Sequence, residues 1–573
     1  MDLNWPQVPA CRGLPVTCNP CFALLPLNCK LSSMRILTCD EVREVEREAV
    51  KRPDVSTLVL MQRAGYAVAQ FCLSHFKFSS VCAVCGKGNN GGDGMVAAES
   101  LRELADKVSV IILAKDASEL SVDAAAMCAR LGVEPIWITS EADLERDAVR
   151  QALGADLILD AIVGTGFKPP LRGLAGRAVR AINEALGTVV AVDLPSGVDA
   201  DSRTSIQENE NEVVYSHGIA TFMAPKPAHV FGELTSGAIA LSELGVPPAL
   251  VTSKVGLQVI TGQEVGITFP PRLRDANKGQ FGHVLVVAGS RGKAGAAALA
   301  GLAALRTGAG LVTVACPESI QPTVAGFAPE LMTEALPETA DGTVSLAAHE
   351  RVNALLAGMD VIVLGPGLSR NPETAEFVRQ LAMHCSLPMV LDADGLNAFE
   401  GRAGELKGGE NFRVLTPHPG EAARLIGASI KEIQQYRIET ARRMATDTGS
   451  CVVLKGSRTV VAGISGETWI NMTGNPAMAK GGSGDVLSGI IAAALARRPA
   501  TPGEQQQHSD NSAAFLRDVR VAAAVHLHGL AGDFARDMLH ENTVLATDLL
   551  EHLAEAFRDC ELQMDKGLFY LQK

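Results

Sequence analysis

Basic charge is in short supply in this chain. Its 573 residues hold 51 Lys and Arg against 64 Asp and Glu, a formal net charge of −13. That excludes broad nucleic-acid or anionic-membrane binding, which needs a basic footprint. A small phosphorylated ligand is still allowed, because N–H groups at a helix N-terminus hold phosphate without net positive charge. Long apolar runs are missing too. Only twelve uncharged residues lie between Lys293 and Arg306, and a membrane span needs about twenty apolar ones. The longest uncharged run, Gly13 to Cys29, contains Pro15, Pro20 and Pro26 with Thr17 and Asn19. It is a poor signal-peptide core. Aromatics are only 4% of the chain, while Gly numbers 55, about a tenth against a usual ~7%. Apolar residues are 47% and charged ones 20%, which gives a large core and not a disordered chain. Such a composition suits α/β domains with tight glycine turns.

The chain also lacks a second cysteine pair to complete a metal site. Cys82 and Cys85 form a C-x-x-C inside the apolar run Val81–Cys85, which reads as a buried strand and not as a redox or zinc pair. Cys11, Cys18, Cys21 and Cys29 cluster in the first 33 residues. A zinc knuckle competes there with an irregular extension, or with translation that starts at Met34. Thirteen scattered cysteines suit a reducing, cytoplasmic setting.

From Met34 the pattern becomes regular. Thr38 is a candidate N-cap with Glu41 three residues on, a capping box. Helices are expected at Val42–Lys51 and Thr57–His75. Strands then alternate with helices: Val81–Cys85, Val108–Leu113, Glu134–Ile138, Leu157–Asp160 and Thr188–Val192, with further apolar stretches near 218–223 and 238–242. This alternation predicts a mostly parallel sheet covered on both faces. Residues 243–275 lack periodicity and hold four prolines, so 246–275 reads as a linker. A second α/β pattern begins near Gly282. Its strands are expected at His283–Ala288, Gly310–Ala315, Val361–Leu364, Met389–Leu391, Arg413–Leu415, Val452–Lys455 and Val460–Ala462. Residues 499–513 read as a flexible insertion. The expected organisation is an irregular extension (1–33), a Rossmann-like three-layer α/β domain (34–245), the linker, a second α/β domain (276–563) and a tail (564–573).

Gly86-Lys-Gly-Asn-Asn-Gly-Gly-Asp-Gly94 follows a strand and opens a helix. Gly86, Gly88 and Gly91 satisfy the dinucleotide fingerprint G-x-G-x-x-G, yet no acidic residue ends the next strand at the usual offset. Asn89, Asn90 and Asp93 also decorate the loop beyond what close backbone approach needs. Asp160-Ala-Ile-Val-Gly-Thr-Gly166 and Asp193-Leu-Pro-Ser-Gly-Val-Asp199 end two more strands. Ligands of open α/β sheets bind beyond such ends. Carboxylate, amide and hydroxyl oxygens there suit a hard cation or a ribose-phosphate.

These three motifs resemble the NAD(P)H-hydrate epimerase family, over about residues 34–245. That family interconverts the R and S epimers of NADH or NADPH carrying water at C6 of the nicotinamide ring. The resemblance implies that Asn89, Asn90, Gly91, Gly92 and Asp93 cradle the substrate. It implies that Gly164, Thr165, Gly166, Phe167, Lys168, Pro169 and Pro170 line its phosphates. Asp193 would be the acid/base near C6, and Asn90, Asp160 and Ser196 would hold a potassium ion.

Near the other end lies Asn475-Pro-Ala-Met-Ala-Lys-Gly-Gly-Ser-Gly-Asp485, followed by an apolar helix. Glycines at a helix N-terminus form an anion hole. Asp485 just beyond it reads as a base beside a transferring phosphoryl group, a reaction that rests on positioning and charge stabilisation. Lys455-Gly-Ser-Arg-Thr459 follows a strand and can turn round a phosphate. His418, between two prolines beyond another strand, points outward. Gly289-Ser-Arg-Gly-Lys-Ala-Gly295 and Leu364-Gly-Pro-Gly-Leu368 add two glycine loops.

Together with Lys278-Gly-x-Phe-Gly-His283 and Pro329-Glu-Leu-Met332, these motifs resemble the ribokinase-like ADP/ATP-dependent NAD(P)H-hydrate dehydratase family, over about 276–563. One departure is Ser369, where a glycine is common. The resemblance implies that Ala294, Gly367, His418 and Asp485 contact the hydrated dinucleotide. Lys455, Gly456, Ser457, Arg458, Thr459 and Gly484 would contact the adenine nucleotide. ADP carrying Mg²⁺ is the expected phosphoryl donor, and a homo-oligomer the expected assembly. Two competing readings are a ribokinase-class kinase of a vitamin-like alcohol, and an NAD-dependent oxidoreductase built on the Gly86–Gly91 fingerprint. A non-catalytic dinucleotide-binding module is disfavoured by the presence of Asp93, Asp193 and Asp485.

Overall fold

The computed structural model describes residues 34–203, 205–206, 212–254, 256–407, 411–498, 510–566 and 568–572. The expected extension at 1–33 and most of the expected insertion at 499–513 lie outside them. Among the described residues the first strands are β1 (Met34–Arg35), β2 (Ser80–Cys85), β3 (Lys107–Ile112), β4 (Ile136–Trp137), β5 (Leu157–Ala161), β6 (Thr188–Val192), β7 (Gly218–Phe222), β8 (Ile239–Ser242) and β9 (Gln258–Val259). The others are β10 (His283–Val287), β11 (Leu311–Pro317), β12 (Met332–Leu336), β13 (Val361–Leu364), β14 (Met389–Leu391), β15 (Arg413–Leu415), β16 (Cys451–Leu454), β17 (Val460–Ala462), β18 (Thr468–Ile470) and β19 (Leu568–Gln572).

They form two sheets. The first has the order β19-β8-β7-β6-β5-β2-β3-β4 and is parallel except at β19. The second has the order β1-β9-β18-β17-β16-β15-β14-β13-β10-β11-β12, parallel from β16 to β12. In each sheet the chain winds outward in both directions from a central pair, β2/β5 and β10/β13. Crevices form at such switch points, beyond the strands' carboxyl ends.

The chain ends are exchanged between the sheets. β1 pairs antiparallel with β9 at the edge of the second sheet, with Met34 opposite Val259. β19 pairs antiparallel with β8 at the edge of the first, with Phe569 opposite Leu241. Residues 246–275, expected as a linker, therefore carry β9 and the helix Gly262–Thr268, and 564–573, expected as a tail, carries β19. An apolar cluster continues across the seam, joining Ile36, Ala191, Leu194 and Ile239 to Leu285, Leu364 and Leu571.

Local signals act as expected where they are strong. Thr38 caps the helix Cys39–Ala49: its Oγ1 accepts from the Glu41 N–H, and the Glu41 carboxylate accepts from the Thr38 N–H at 2.8 Å. Cys82 and Cys85 are buried in β2 and unpaired, and burial pushes the Cys82 thiol up to about 12. The small residues of the helix Ala294–Thr307 let the helix Ser483–Ala496 pack closely on it. A Cβ at Gly489 would lie 2.2 Å from the Ala300 carbonyl oxygen.

Candidate active sites

A cavity of about 1210 Å³ opens beyond β2, β5 and β6. This exceeds the ~300–1,000 Å³ typical of drug-sized ligands and is ample for a dinucleotide. One wall is the start of the helix Asn89–Leu101. Its N-cap is Gly88, with no side-chain cap, so the first N–H groups stay available to an anion. Gly91 is buried there, because a Cβ would lie 2.1 Å from the Gly86 carbonyl oxygen. Gly91 and Gly92 thus seat the helix, while Asn89, Asn90 and Asp93 line the cavity. Gly164, Thr165, Gly166 and Phe167 line it from the loop after β5. Lys168, Pro169 and Pro170 are not among the lining residues. The Lys168 ammonium is paired to Asp199 at 2.8 Å and Asp201 at 3.1 Å.

Asp193 lines the same cavity, and its backbone sits in the left-handed region at φ 67° just past β6. Strain of this kind clusters at functional sites. Lys226 is 1% exposed, and all three of its ammonium donors are used. They reach Asp193 Oδ1 at 2.6 Å, Thr221 Oγ1 at 3.0 Å and the Phe222 carbonyl at 3.1 Å. Thr221 donates to the same Asp193 oxygen at 2.8 Å. His229 Nδ1 accepts from the Lys226 backbone N–H at 3.0 Å, so Nε2 donates to the Asp193 carbonyl at 2.7 Å. Burial, reinforced by Lys226, pushes this imidazole down to about 4, so it is neutral. Burial is the largest single influence on the Asp193 carboxyl and would raise it, but Lys226, His229 and the hydrogen bonds from Lys226 and Thr221 together hold the group below the usual range. Asp93 goes the other way: burial first, then the charge of Asp193, push it well up. Burial also raises Glu46. One cavity therefore holds carboxyls pushed in opposite directions, the kind of arrangement that separates base from acid.

Below lies Asp160, fully buried at the end of β5. It accepts from the Ser196 N–H at 2.7 Å and Ser196 Oγ at 2.6 Å. Burial pushes it up to about 6, against the pull of those bonds. The buried Asn90 amide has an Nδ2 with no hydrogen-bond partner.

The second site gathers the loops beyond β10, β13, β14, β15 and β16. Asp485 lies in the first turn of the helix Ser483–Ala496, after Gly482 at φ 98°. Burial, then the negative charge of Asp392, push its carboxyl up to about 7, although Lys455 pulls it down. Lys455 Nζ donates to Asp392 Oδ1 at 2.9 Å and lies 3.7 Å from Glu421. Ser488 donates to the other Asp392 oxygen at 2.7 Å. A Cβ at Gly484 would lie 3.4 Å from Lys455 Nζ, so the glycine turn and the ammonium are adjacent. His418 caps the helix Pro419–Ile426, with Nδ1 accepting from the Gly420 N–H at 3.0 Å. The other ring nitrogen, Nε2, lies 3.5 Å from the Glu421 carboxylate. Gly367, at φ 65°, packs against the turn leading to Ala294; a Cβ there would lie 3.2 Å from Lys293 Cβ. Asp394 ties these loops together, accepting from the Ser369 N–H at 2.8 Å and Lys293 Nζ at 3.3 Å.

The Lys455–Thr459 turn is divided in its duties. Lys455 faces Asp392, while Thr459 Oγ1 donates to the Gly456 carbonyl at 2.8 Å. Arg458 Nε donates across the seam to the Val230 carbonyl at 2.8 Å, and Nη1 to the Met472 carbonyl at 3.1 Å. The departure at Ser369 has a measurable cost, since its φ is 79°. Ser369→Gly is expected to stabilise the protein by roughly 0.5–1 kcal/mol, read from the denaturation midpoint. A lower midpoint would show that the hydroxyl outweighs the strain.

Several site residues lacked a motif in the sequence. Lys226 and His229 sit in Pro225-Lys-Pro-Ala-His229 just past β7, and Asp392 and Asp394 sit just past β14. Polar residues beyond a strand's carboxyl end were the available signal. His528, on the helix Asp510–Met538, supports the glycine turn from behind by donating to the Ser483 carbonyl at 2.9 Å.

Residues 284–555 match the NAD(P)H-hydrate dehydratase domain family, and residues 57–228 the family of YjeF-related protein N-termini. The bifunctional NAD(P)H-hydrate repair enzyme of Moorella thermoacetica is 37% identical over 542 residues, 93% of this chain and 98% of that one. That of Escherichia coli is 33% identical over 518 residues, 90% of this chain and 92% of that one. A crystal structure of the ADP/ATP-dependent NAD(P)H-hydrate dehydratase from Bacillus subtilis, co-crystallised with ATP and Mg²⁺, is 31% identical with a TM-score of 0.43, covering 52% of this chain and 97% of that one. The chain belongs to the family of bifunctional NAD(P)H-hydrate repair enzymes.

Proposed function

We propose that the first cavity interconverts the R and S epimers of hydrated NADH and NADPH, and that the second site returns the S epimer to NAD(P)H. The second reaction consumes ADP and releases AMP and phosphate. The observation that carries this reading is Asp485, a buried carboxyl near neutrality at a glycine-rich helix start beside Lys455.

In the epimerase site, Asp93 gives its proton to the C6 hydroxyl, which leaves as water while the ring nitrogen's lone pair forms a C6–N1 double bond. Water returns to the other face and loses a proton to Asp193. Lys226 holds Asp193 ionised and in place. In the dehydratase site, Asp485 takes the C6 hydroxyl proton as that oxygen attacks the terminal phosphorus of ADP, and AMP leaves. Phosphate then departs from C6, driven by the ring nitrogen, and loss of a C5 proton restores the dihydronicotinamide. The Lys455 ammonium and the N–H groups near Gly484 stabilise the transferring phosphoryl charge. Mg²⁺ supplies charge neutralisation on the nucleotide. Among the described residues no three His, Cys, Asp or Glu side chains form a metal cage, and a phosphate-bound Mg²⁺ requires none.

Potassium fits the floor of the first site. Asp160, Ser196 and Asn90 offer hard oxygen ligands. The Asn90 amide, whose buried Nδ2 has no hydrogen-bond partner, would supply its oxygen as a further ligand with the amide flipped. Asp160, raised to about 6, favours the fold in its protonated form; that contribution is full below the unfolded carboxyl's range and is lost as pH rises through about 6. A cation beside it restores stability at neutral pH. Potassium in place of lithium is therefore expected to raise the unfolding temperature at pH 7.5, and not in Asp160→Asn. Equal shifts in both proteins would remove Asp160 from the site.

None of the nine described cysteines is in a disulfide, which supports a reducing, cytoplasmic setting. Among the described residues no helix is long and apolar enough to cross a membrane. The working form is read as a homo-oligomer. One assay tests the whole reading: both hydrate epimers are supplied with ADP, and reduced-nicotinamide absorbance is followed. Complete recovery is expected. A stable phosphorylated product instead would establish a kinase.

A further inference from the structure

We infer that Arg458, from the dehydratase half, is a positioning residue for the epimerase reaction. It acts at a distance, by capping the short helix that holds Asp193 in place. The inference rests on reading the first cavity as the epimerase site.

Asp193 needs to be held. A non-glycine residue at φ 67° persists only where its surroundings over-determine it. Two groups from one short segment do this. The Lys226 ammonium fixes the carboxylate at 2.6 Å, and His229 Nε2 donates to the backbone carbonyl at 2.7 Å. Lys226 is the N-cap of the helix Pro227–Phe231, and His229 lies within that helix. Five residues are far fewer than the roughly 12–15 at which an isolated helix holds itself together. This helix therefore depends on what ties its ends. At its start the Ala228 N–H donates to the Ala200 carbonyl at 3.0 Å, and the Lys226 N–H to His229 Nδ1 at 3.0 Å.

The far end is tied partly from the other half of the chain. The last carbonyls of a helix have no partner within it. Just past the helix, the Gly232 carbonyl accepts from the Ile206 N–H at 2.9 Å. The Val230 carbonyl accepts from Arg458 Nε at 2.8 Å, across 228 residues of sequence. Basic side chains suit a helix C-terminus, where they pair with the last carbonyls and the dipole. Arg458 is itself anchored, since its Nη1 donates to the Met472 carbonyl at 3.1 Å. Ala228 and Val230 also share one apolar cluster with Val460, Met472 and Leu571, so the cap stands on a packed support. An arginine of one half thus braces the reacting carboxylate of the other, through Val230 and His229. Small misplacements of a reacting group are costly in rate.

The test follows epimerisation in the full chain with ADP left out, so that the dehydratase half does no chemistry. Arg458→Met keeps the apolar stem and removes every donor. Its epimerase kcat is expected to fall about tenfold, equivalent to ~1.4 kcal/mol. Its KM is expected to stay within about twofold, because no substrate contact is lost. Amide exchange over residues 227–232 is expected to speed up several-fold. Arg458→Gln places its amide nitrogen at the position of Nε. It keeps a donor for the Val230 carbonyl and gives up the charge and the bond to Met472, so kcat is expected within about threefold of the wild type. Leu571→Ala controls for loosened packing at the seam, since Leu571 is buried in the same cluster. Its unfolding temperature is expected to fall at least as far as that of Arg458→Met, with kcat within about twofold. A wild-type kcat in Arg458→Met overturns the inference. So does a tenfold loss in Arg458→Gln, which would tie the effect to the charge, or in Leu571→Ala, which would tie it to stability. Should Arg458→Met fail to fold, Arg458→Gln carries the test: kcat and amide exchange both near the wild type sustain the inference, and a loss in either overturns it. If the wild type does not epimerise, the reading of the cavity fails first; if it does and Arg458→Met is indifferent, only this role of Arg458 fails.

Discussion

Asp485→Asn is expected to lower dehydration by about 10³-fold or more while the epimerase rate is unchanged. The amide keeps the shape of the carboxylate and its place at the helix start, and loses only the ability to take a proton. General-base contributions run to about 10²–10⁴-fold, and here the group also faces a transferring phosphoryl. The wild type should carry the same signature in its pH profile. Burial and Asp392 push Asp485 up to about 7, and only the ionised form accepts the hydroxyl proton. Dehydratase kcat/KM is thus expected to fall about tenfold per pH unit below about 7 and to level off above it. Normal turnover by Asp485→Asn, or a flat profile between pH 5 and 8, would refute the assignment.

The second large effect is expected at Asp193, and it separates chemistry from stability. Asp193→Asn removes the proton acceptor and also strips the counter-ion from Lys226, which is buried with its three donors aimed inward. An unpaired buried charge costs about 3–5 kcal/mol. Epimerisation should fall by about 10²–10⁴-fold, with a marked drop in unfolding temperature. The double variant Asp193→Asn/Lys226→Met takes the charge away, so it should regain most of the stability and none of the epimerase activity. Recovery of epimerisation in the double variant would show that Asp193 acts only as a structural anchor.

The sites that could be read from the sequence are those written as contiguous motifs. Asn89 to Asp93, Asp160 and Asp193 sit at three strand ends, and the switch point at β2/β5 brings those ends together. Gly481 to Asp485 is legible for the same reason, since an anion hole is made by consecutive backbone groups. Lys226 was not legible. Its role depends on a buried pairing over 33 residues, and a lysine after a proline is usually a solvated loop residue. Arg458 shows the converse. The turn it sits in announces a phosphate, yet its own guanidinium is committed to backbone carbonyls of both halves. Short strands such as β1, β9 and β19 were also beyond reach. Two residues of β1 carry no periodicity, and the partners of these strands are far away in sequence, Met34 facing Val259 and Phe569 facing Leu241, so only the assembled sheets define them.

The exchange of chain ends has a consequence for how the protein is made. β19 leaves the ribosome long after β8, yet it closes the sheet whose other seven strands emerge before it. At ~5–20 residues per second, the edge of β8 waits on the order of tens of seconds for its neighbour. An open strand edge is a template for pairing with other chains, so a prematurely terminated product would expose it permanently.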